Sequence, residues 1–437
     1  MIRDGYDTRG EAGHFRLVTL GVPIRWRNGY ICLQPQALPA GSRQIMKRVV
    51  KIAVAAIFTS FLGCAFLTHS AALRKNLAER DSIAYWTAAR LLIHQQNPYD
   101  STRVLELERQ LGYPEDKPLV LRTPPWSLCV ILPLGPVNPF QAWILWTSVS
   151  LGSMLIAMRL CWNIYRLNIV PRNVFTLVGY TFAPVPACLV AGQMGLVLLL
   201  GLVLFLWWES DHPYLAGAAL LLPFAKPHLL VLFWFALLLW MLAHKKRRIA
   251  IGFTVALTSA TVLALLFDPH VFQHYRGMLQ QASIGYEFIP ALSGVLRLLF
   301  FRREFWVQFI PMTAGLVWCV WFLIHNQHNW NWRQHGPALL VVSVLTTPYA
   351  WLTDEVVLLP AILQAAAVVY QTRAHMKVGS QLVLVIFALF DALLLLILKA
   401  KIPFATGIYF WSSMVWFAWY LYGWRRLAAF EKHDPIL

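Results

Sequence analysis

Apolar runs close to the length of a bilayer core recur along most of this chain, and they constrain its fold more than any other feature. Backbone N–H and C=O groups in hydrocarbon find no water, so each run must be a helix that closes its own hydrogen bonds. The runs fall at 49–68, 141–160, 174–191, 193–208, 213–226, 228–243, 249–267, 305–325, 337–348, 353–370, 380–398 and 404–424. Several are shorter than the ~20 residues a straight span needs. The sequence therefore predicts an all-α integral membrane protein, a polytopic helical bundle of about twelve transmembrane helices.

Charge gives the orientation. Only 13% of the residues are charged, yet the net charge is +17. Basic residues stand beside the runs: Lys47, Arg48 and Lys51; Arg159, Arg166 and Arg172; His244 to Arg248; Arg373 and Lys377; Arg425 and Arg426. With about twelve spans, and with 125–139 folding back without crossing, all five groups share one side, which the positive-inside rule makes cytoplasmic. The basicity then reflects topology and anionic headgroups, and nucleic acid is not an expected partner. The opposite, non-cytoplasmic face receives 69–140, Gly192-Gln193, Lys226-Pro227-His228, 268–304 and the corner from Pro348 to Asp354. A multi-pass protein of the cell inner (plasma) membrane with its polar features outside is expected.

Residues 1–45 show no sustained periodicity and are expected to be poorly ordered, an extension preceding the chain start suggested by Met46-Lys47-Arg48. The working domain is then 46–437, with an outer loop at 69–140. The six cysteines form no CxxC pair or ligand cluster and read as small buried hydrophobes. No Walker-type loop, no GxGxxG after a strand and no HExxH occurs, and no cytoplasmic segment is large enough for a nucleotide-sugar domain. No cofactor or metal is expected.

The most informative polar stretch is Asp81 to Asp100, DSIAYWTAARLLIHQQNPYD. Ala84, Ala88, Leu91 and Leu92 form one helical stripe, so this segment should lie on the membrane or on the bundle. Further along come Asn97-Pro98-Tyr99-Asp100, Thr123-Pro124-Pro125, Gly192-Gln193, Ala216-Gly217, Lys226-Pro227 before a basic cluster, and Thr347-Pro348-Tyr349-Ala350-Trp351. With Asp81-x-x-x-Tyr85 at its head, that order resembles glycosyltransferase family 87, the polyprenyl-phosphate-mannose-dependent mannosyltransferases of the GT-C superfamily. The similarity runs from about residue 49 to about residue 424. It implies a GT-C-type bundle, a catalytic aspartate in the first outer loop at Asp81, a polyprenyl-phosphate sugar donor and transfer with inversion. The chain departs from the commoner family pattern near the Pro-x-x-Trp corner, where Thr353-Asp354 replace paired histidines.

On that resemblance, Asp81 is the candidate general base drawing a proton from an acceptor hydroxyl; it equally occupies a helix N-cap position. Lys226, between two apolar runs, suits the developing charge of a leaving phosphate, with His228 assisting; the alternative is a snorkelling lysine at a helix end. Arg297 is a second phosphate clamp or an interfacial headgroup contact, with Arg276 and Arg122 weaker candidates. Asp354 binds sugar hydroxyls, pairs with a base such as Lys226, or caps a helix. Gln193 is a sugar or acceptor contact or a cap. Tyr85, Trp86, Tyr349 and Trp351 suit a sugar platform, though an aromatic belt explains them more simply. Asp391 interrupts an apolar run and is expected to pair structurally with Lys399 or another helix rather than relay protons. The sequence thus points to a membrane hexosyltransferase moving mannose from a polyprenyl-phosphate donor to a glycolipid or envelope-glycan hydroxyl. A transporter or flippase of lipid-linked sugars is the competing class; occasional charges within the runs leave it open, while the lack of an internal repeat speaks against it.

Overall fold

The computed structural model describes residues 25–27, 30–32, 80–165, 170–281, 289, 291–302, 304–372, 378–400 and 408–433. The chain divides into two units, 1–55 and 56–437. In the first, strand Arg25–Arg27 pairs antiparallel with Tyr30–Cys32, with Arg27 opposite Tyr30. The intervening sequence is Asn28-Gly29, the dipeptide that most strongly signals a hairpin.

Every regular element described in the second unit is a helix. Five helices are long and apolar enough to cross a membrane: Pro139–Tyr165, Arg247–Phe267, Phe305–Asn329, Asp354–Gln371 and Gln381–Lys399. Two bent pairs raise the number to seven. The expected count of about twelve is not reached among the described residues, for physical reasons. The 49–68 run and part of 404–424 lie outside them. Helices Gly195–Trp208 and Trp332–Thr346 have 14 and 15 residues, ~21 to 23 Å of rise, short of a ~30 Å core.

The runs 213–226 and 228–243 form a segment bent by 112° between Ala225 and Pro227. Its two ends approach one another, because Lys246 Nζ lies 3.7 Å from Glu209 Oε1. Lys226 sits at the turn, remote from the basic cluster by the length of the Val231–Ala243 helix, ~20 Å. The 174–191 run is likewise bent, by 51°, between Arg172–Thr181 and Pro184–Ala191. Pro184 has no N–H and Ala183 precedes it, so the helical ladder fails there. Asp391 answers the break: its Oδ1 accepts the Ala183 N–H at 2.8 Å. The partner expected for Asp391 is thus another helix's backbone, and this bond fastens a helix of which only 6% of the apolar window is buried.

The Ser82–Ile93 helix buries ten of its twelve residues, so it packs within the bundle and not flat on lipid. Trp86 Nε1 bonds Val137 O at 3.0 Å, fixing it against the start of the Pro139–Tyr165 helix. Asp100 caps the next helix, Ser101–Gln110, by accepting from Thr102 and Arg103 N–H. Tyr99 reaches across to Thr123 O at 3.0 Å and ties the Asn-Pro-Tyr turn to the Thr-Pro-Pro segment. The stretch after it folds as short turns of helix between Pro125 and Leu134, with Leu128 and Ile131 fully buried. That is too short to cross a ~30 Å core.

Candidate active site

Four separate segments, all expected on the non-cytoplasmic side, converge on one chain of hydrogen bonds. Asp81 Oδ2 accepts from Gln193 Nε2 at 2.6 Å. Gln193 Oε1 accepts from Tyr85 OH at 2.9 Å and from Lys226 Nζ at 3.4 Å. Lys226 Nζ donates to Asp354 Oδ1 at 2.6 Å, and the second Asp354 oxygen accepts the Trp351 N–H at 3.1 Å. One amide thus separates the Asp81 carboxylate from the Lys226 ammonium. Adding its ~2.3 Å width to the two bonds puts them at most about 8 Å apart.

The backbone explains why these groups meet. Asp81 stands at the N-cap position of the Ser82–Ile93 helix, but its side chain makes no capping bond. It turns to Gln193 instead, while its N–H donates to Ala191 O at 3.0 Å. Gly192 takes a left-handed φ of +71° to end the Pro184–Ala191 helix. A Cβ there would lie 2.8 Å from the Ser82 side chain, so glycine is needed for conformation and for space. The Gly192 carbonyl is held by Trp146 Nε1 at 2.7 Å, and the Trp146 ring packs 4.8 Å from that of Tyr85. Gly195 admits the Asp354 segment, since a Cβ there would stand 2.6 Å from Thr353 O.

Burial sets the electrostatics. Desolvation pushes the Asp81 carboxyl above its ordinary value; the Gln193 hydrogen bond and the Lys226 charge oppose this, and Asp354 adds to it. The Tyr85 hydroxyl rises well above its usual range because it is buried beside Asp81, so it stays protonated as a donor. Asp354 is fully buried with both oxygens engaged inside the protein. Of the sequence readings for Asp354, pairing with Lys226 is the arrangement present. The Lys226 side chain keeps 14% exposure.

Around this chain the wall is aromatic. The His228 ring lies edge-on to Tyr349 at 5.6 Å, and Tyr349 OH accepts from Trp351 Nε1 at 3.0 Å and from Arg122 Nη1 at 3.4 Å. Thr347 Oγ1 bonds His228 O at 2.8 Å, joining the Lys-Pro-His turn to the Thr-Pro-Tyr corner. Tyr349 and Trp351 are therefore built into the site. Arg297 is placed differently. It is 2% exposed on the Leu292–Phe300 helix, with its guanidinium 5.6 Å from the Phe305 ring centre. Arg122, the weaker candidate by sequence, is exposed and reaches the Tyr349 hydroxyl. Its position straight before Thr123-Pro124-Pro125 was the signal available for it.

The profile described as glycosyltransferase family 87 matches residues 123–348, just over half of the chain. No curated protein and no solved structure matches. The matched stretch contains Gln193 and Lys226, and the hydrogen-bond chain continues from it to Asp81 on one side and Asp354 on the other. Together with the apolar helices, this makes the protein a membrane glycosyltransferase, working between a sugar donor and an acceptor. The chain belongs to glycosyltransferase family 87.

Proposed function

We propose that the protein transfers a hexose, mannose by family resemblance, from a polyprenyl-phosphate donor to a hydroxyl of a glycolipid or envelope glycan on the non-cytoplasmic face of the plasma membrane. The fold on this reading is a GT-C-type bundle. One observation carries it: a carboxylate and an ammonium, drawn from separate turns, face each other across a single side-chain amide. Asp81 takes the proton of the acceptor hydroxyl as its oxygen attacks the anomeric carbon. The bond from that carbon to the phosphate oxygen breaks, its electron pair leaves with the phosphate, and configuration inverts. Lys226 takes up the charge that develops, where removal of one such stabilising donor typically costs ~10²–10³-fold in rate. An ammonium has three N–H donors, of which Asp354 and Gln193 use two. His228 and Arg122 flank the phosphate, and Tyr349 and Trp351 offer ring faces and edges to the sugar.

Purified protein in liposomes, given labelled polyprenyl-phosphate hexose and a glycolipid acceptor, tests the reading. Transfer with inverted anomeric configuration is expected, and Asp81→Asn should fold but not transfer. Bilayer translocation of the donor without transfer would instead make the protein a flippase.

A further inference from the structure

Gln193 has a polarity that only one arrangement satisfies. Lys226 has N–H donors and no acceptor, so at 3.4 Å it must meet Oε1; an ionised Asp81 has acceptors and no donor, so at 2.6 Å it must meet Nε2. A flipped amide would set oxygen against carboxylate and N–H against ammonium. Tyr85 runs in the same sense, accepting from the Met194 N–H at 3.2 Å and donating to Gln193 Oε1 at 2.9 Å. Both lone pairs of Oε1 are then used, and every bond points toward Asp81 Oδ2. Among the described residues, the Asp81 side chain has no second hydrogen-bond partner.

We propose that Gln193 is a positioning residue that couples the donor's arrival to the strength of the base: its amide holds Asp81 Oδ2, leaves Oδ1 for the acceptor hydroxyl, and reports to Asp81 whether Lys226 is engaged with phosphate. The inference rests on the base reading above. With the site empty, the Lys226 ammonium polarises the Gln193 amide, which strengthens the N–H bond to Asp81 and restrains the carboxylate. A donor phosphate draws the ammonium toward itself. The amide loses a donor at Oε1, its N–H becomes a weaker hydrogen-bond donor, and the phosphate matches the positive charge that had favoured ionised Asp81. All three changes raise the proton affinity of Asp81 when the sugar is in place. An acceptor hydroxyl is therefore activated only beside a seated donor.

The other groups facing Asp81 do not provide this link. Asp354 stays paired behind Lys226. Arg80, next to Asp81, turns its guanidinium to Val190 O at 2.9 Å and over the Trp143 ring. Tyr85 and Tyr113, the remaining titratable neighbours of Asp81 among the described residues, have raised values and stay neutral.

The test is the pH dependence of transfer by full-length wild type, Asp81→Asn, Gln193→Glu, Gln193→Leu and Tyr85→Phe, with labelled polyprenyl-phosphate hexose. In the wild type the acid limb of kcat, which reports the occupied enzyme, should lie above that of kcat/KM, which reports the free enzyme. Gln193→Leu should move the kcat/KM limb up by about one pH unit, a tenfold change in proton affinity, and close the gap between the limbs. The near-isosteric Gln193→Glu, which carries the test if the leucine variant does not fold, should also move it up by setting a like charge beside Asp81. Tyr85→Phe should shift it less, in the same direction. Lower rates at every pH with unmoved limbs would make Gln193 merely structural and overturn the coupling while the base reading stands. Transfer by Asp81→Asn, or a wild type without an acid limb, would overturn the base reading itself.

Discussion

The Lys226–Asp354 pair can be separated into its structural and chemical parts. Lys226→Met leaves Asp354, whose side chain is 1% exposed, without a counter-charge. Removing one partner of a buried pair costs ~3–5 kcal/mol, whereas removing both is often near neutral. Asp354→Asn strands the lysine instead, but that side chain is 14% exposed and retains the Gln193 oxygen. Its cost should fall below that range, ~2–3 kcal/mol, because a partly hydrated ammonium is less penalised than a fully buried carboxylate. In Lys226→Met/Asp354→Asn both charges vanish, so stability should return to within ~1 kcal/mol of wild type and the cycle should show a coupling of ~4 kcal/mol or more. Unfolding in detergent, followed by tryptophan fluorescence, gives the order: Lys226→Met least stable, then Asp354→Asn, with the double variant near wild type. Transfer should not recover with stability, since a missing phosphate cation costs ~10²-fold or more whatever the fold does. Additive stability losses would refute the pairing, and transfer restored in the double variant would refute the role of Lys226.

Three further outcomes follow from the same geometry. Gly192→Ala forces a side chain into a left-handed backbone and against Ser82; we expect ~1–2 kcal/mol of destabilisation and at least tenfold slower transfer, and wild-type kinetics would count against the Gly192 turn as the device that presents Gln193. Asp391→Asn keeps an oxygen for the Ala183 N–H while Asp391→Leu does not; only the leucine variant should lose ~1 kcal/mol of helix docking, seen as easier unfolding, and equal losses in both would point to a role for the charge. Glu108 is fully buried, accepts the Leu119 N–H with both oxygens, and has its carboxyl raised by burial from 4.5 to about 7. A raised carboxyl stabilises the fold below the unfolded value and loses that contribution as pH climbs from 4.5 through about 7. At about 1.4 kcal/mol per pH unit the span is worth ~3 kcal/mol at most, so Glu108→Gln should flatten the melting-temperature profile between pH 5 and 8, and an unchanged slope would sink the assignment.

Charge in an apolar setting was the legible part of the site. Asp81, Lys226 and Asp354 stand out because ionised groups are rare in such a chain, and the hydrogen bonds bring their turns together. Gln193 and Tyr85 were visible as polar candidates, but a sequence does not show that one amide joins three of the others. Apolar runs announced the helices. They could not announce that Pro184 would interrupt one of them, or that Asp391 would pair with the freed amide 208 positions away. Nor does hydropathy distinguish a pair of spans from a segment folded back at Lys226-Pro227. An arginine in a short apolar helix looks the same in sequence whether it faces a ligand or a ring, and the structure adds for Arg297 its burial and the nearby Phe305 ring. The paired strands Arg25–Arg27 and Tyr30–Cys32 flank a plain Asn-Gly signal that hydropathy does not register.

The most direct measurement is an experimental density map of the protein with a polyprenyl-phosphate hexose bound. The account predicts the phosphate within ion-pair reach of Lys226 Nζ, the sugar carbon presented to Asp81 Oδ1 on the face opposite the phosphate, and Gln193 still bonded to Asp81. A phosphate seated away from Lys226, or a sugar carbon screened from Asp81, would contradict it.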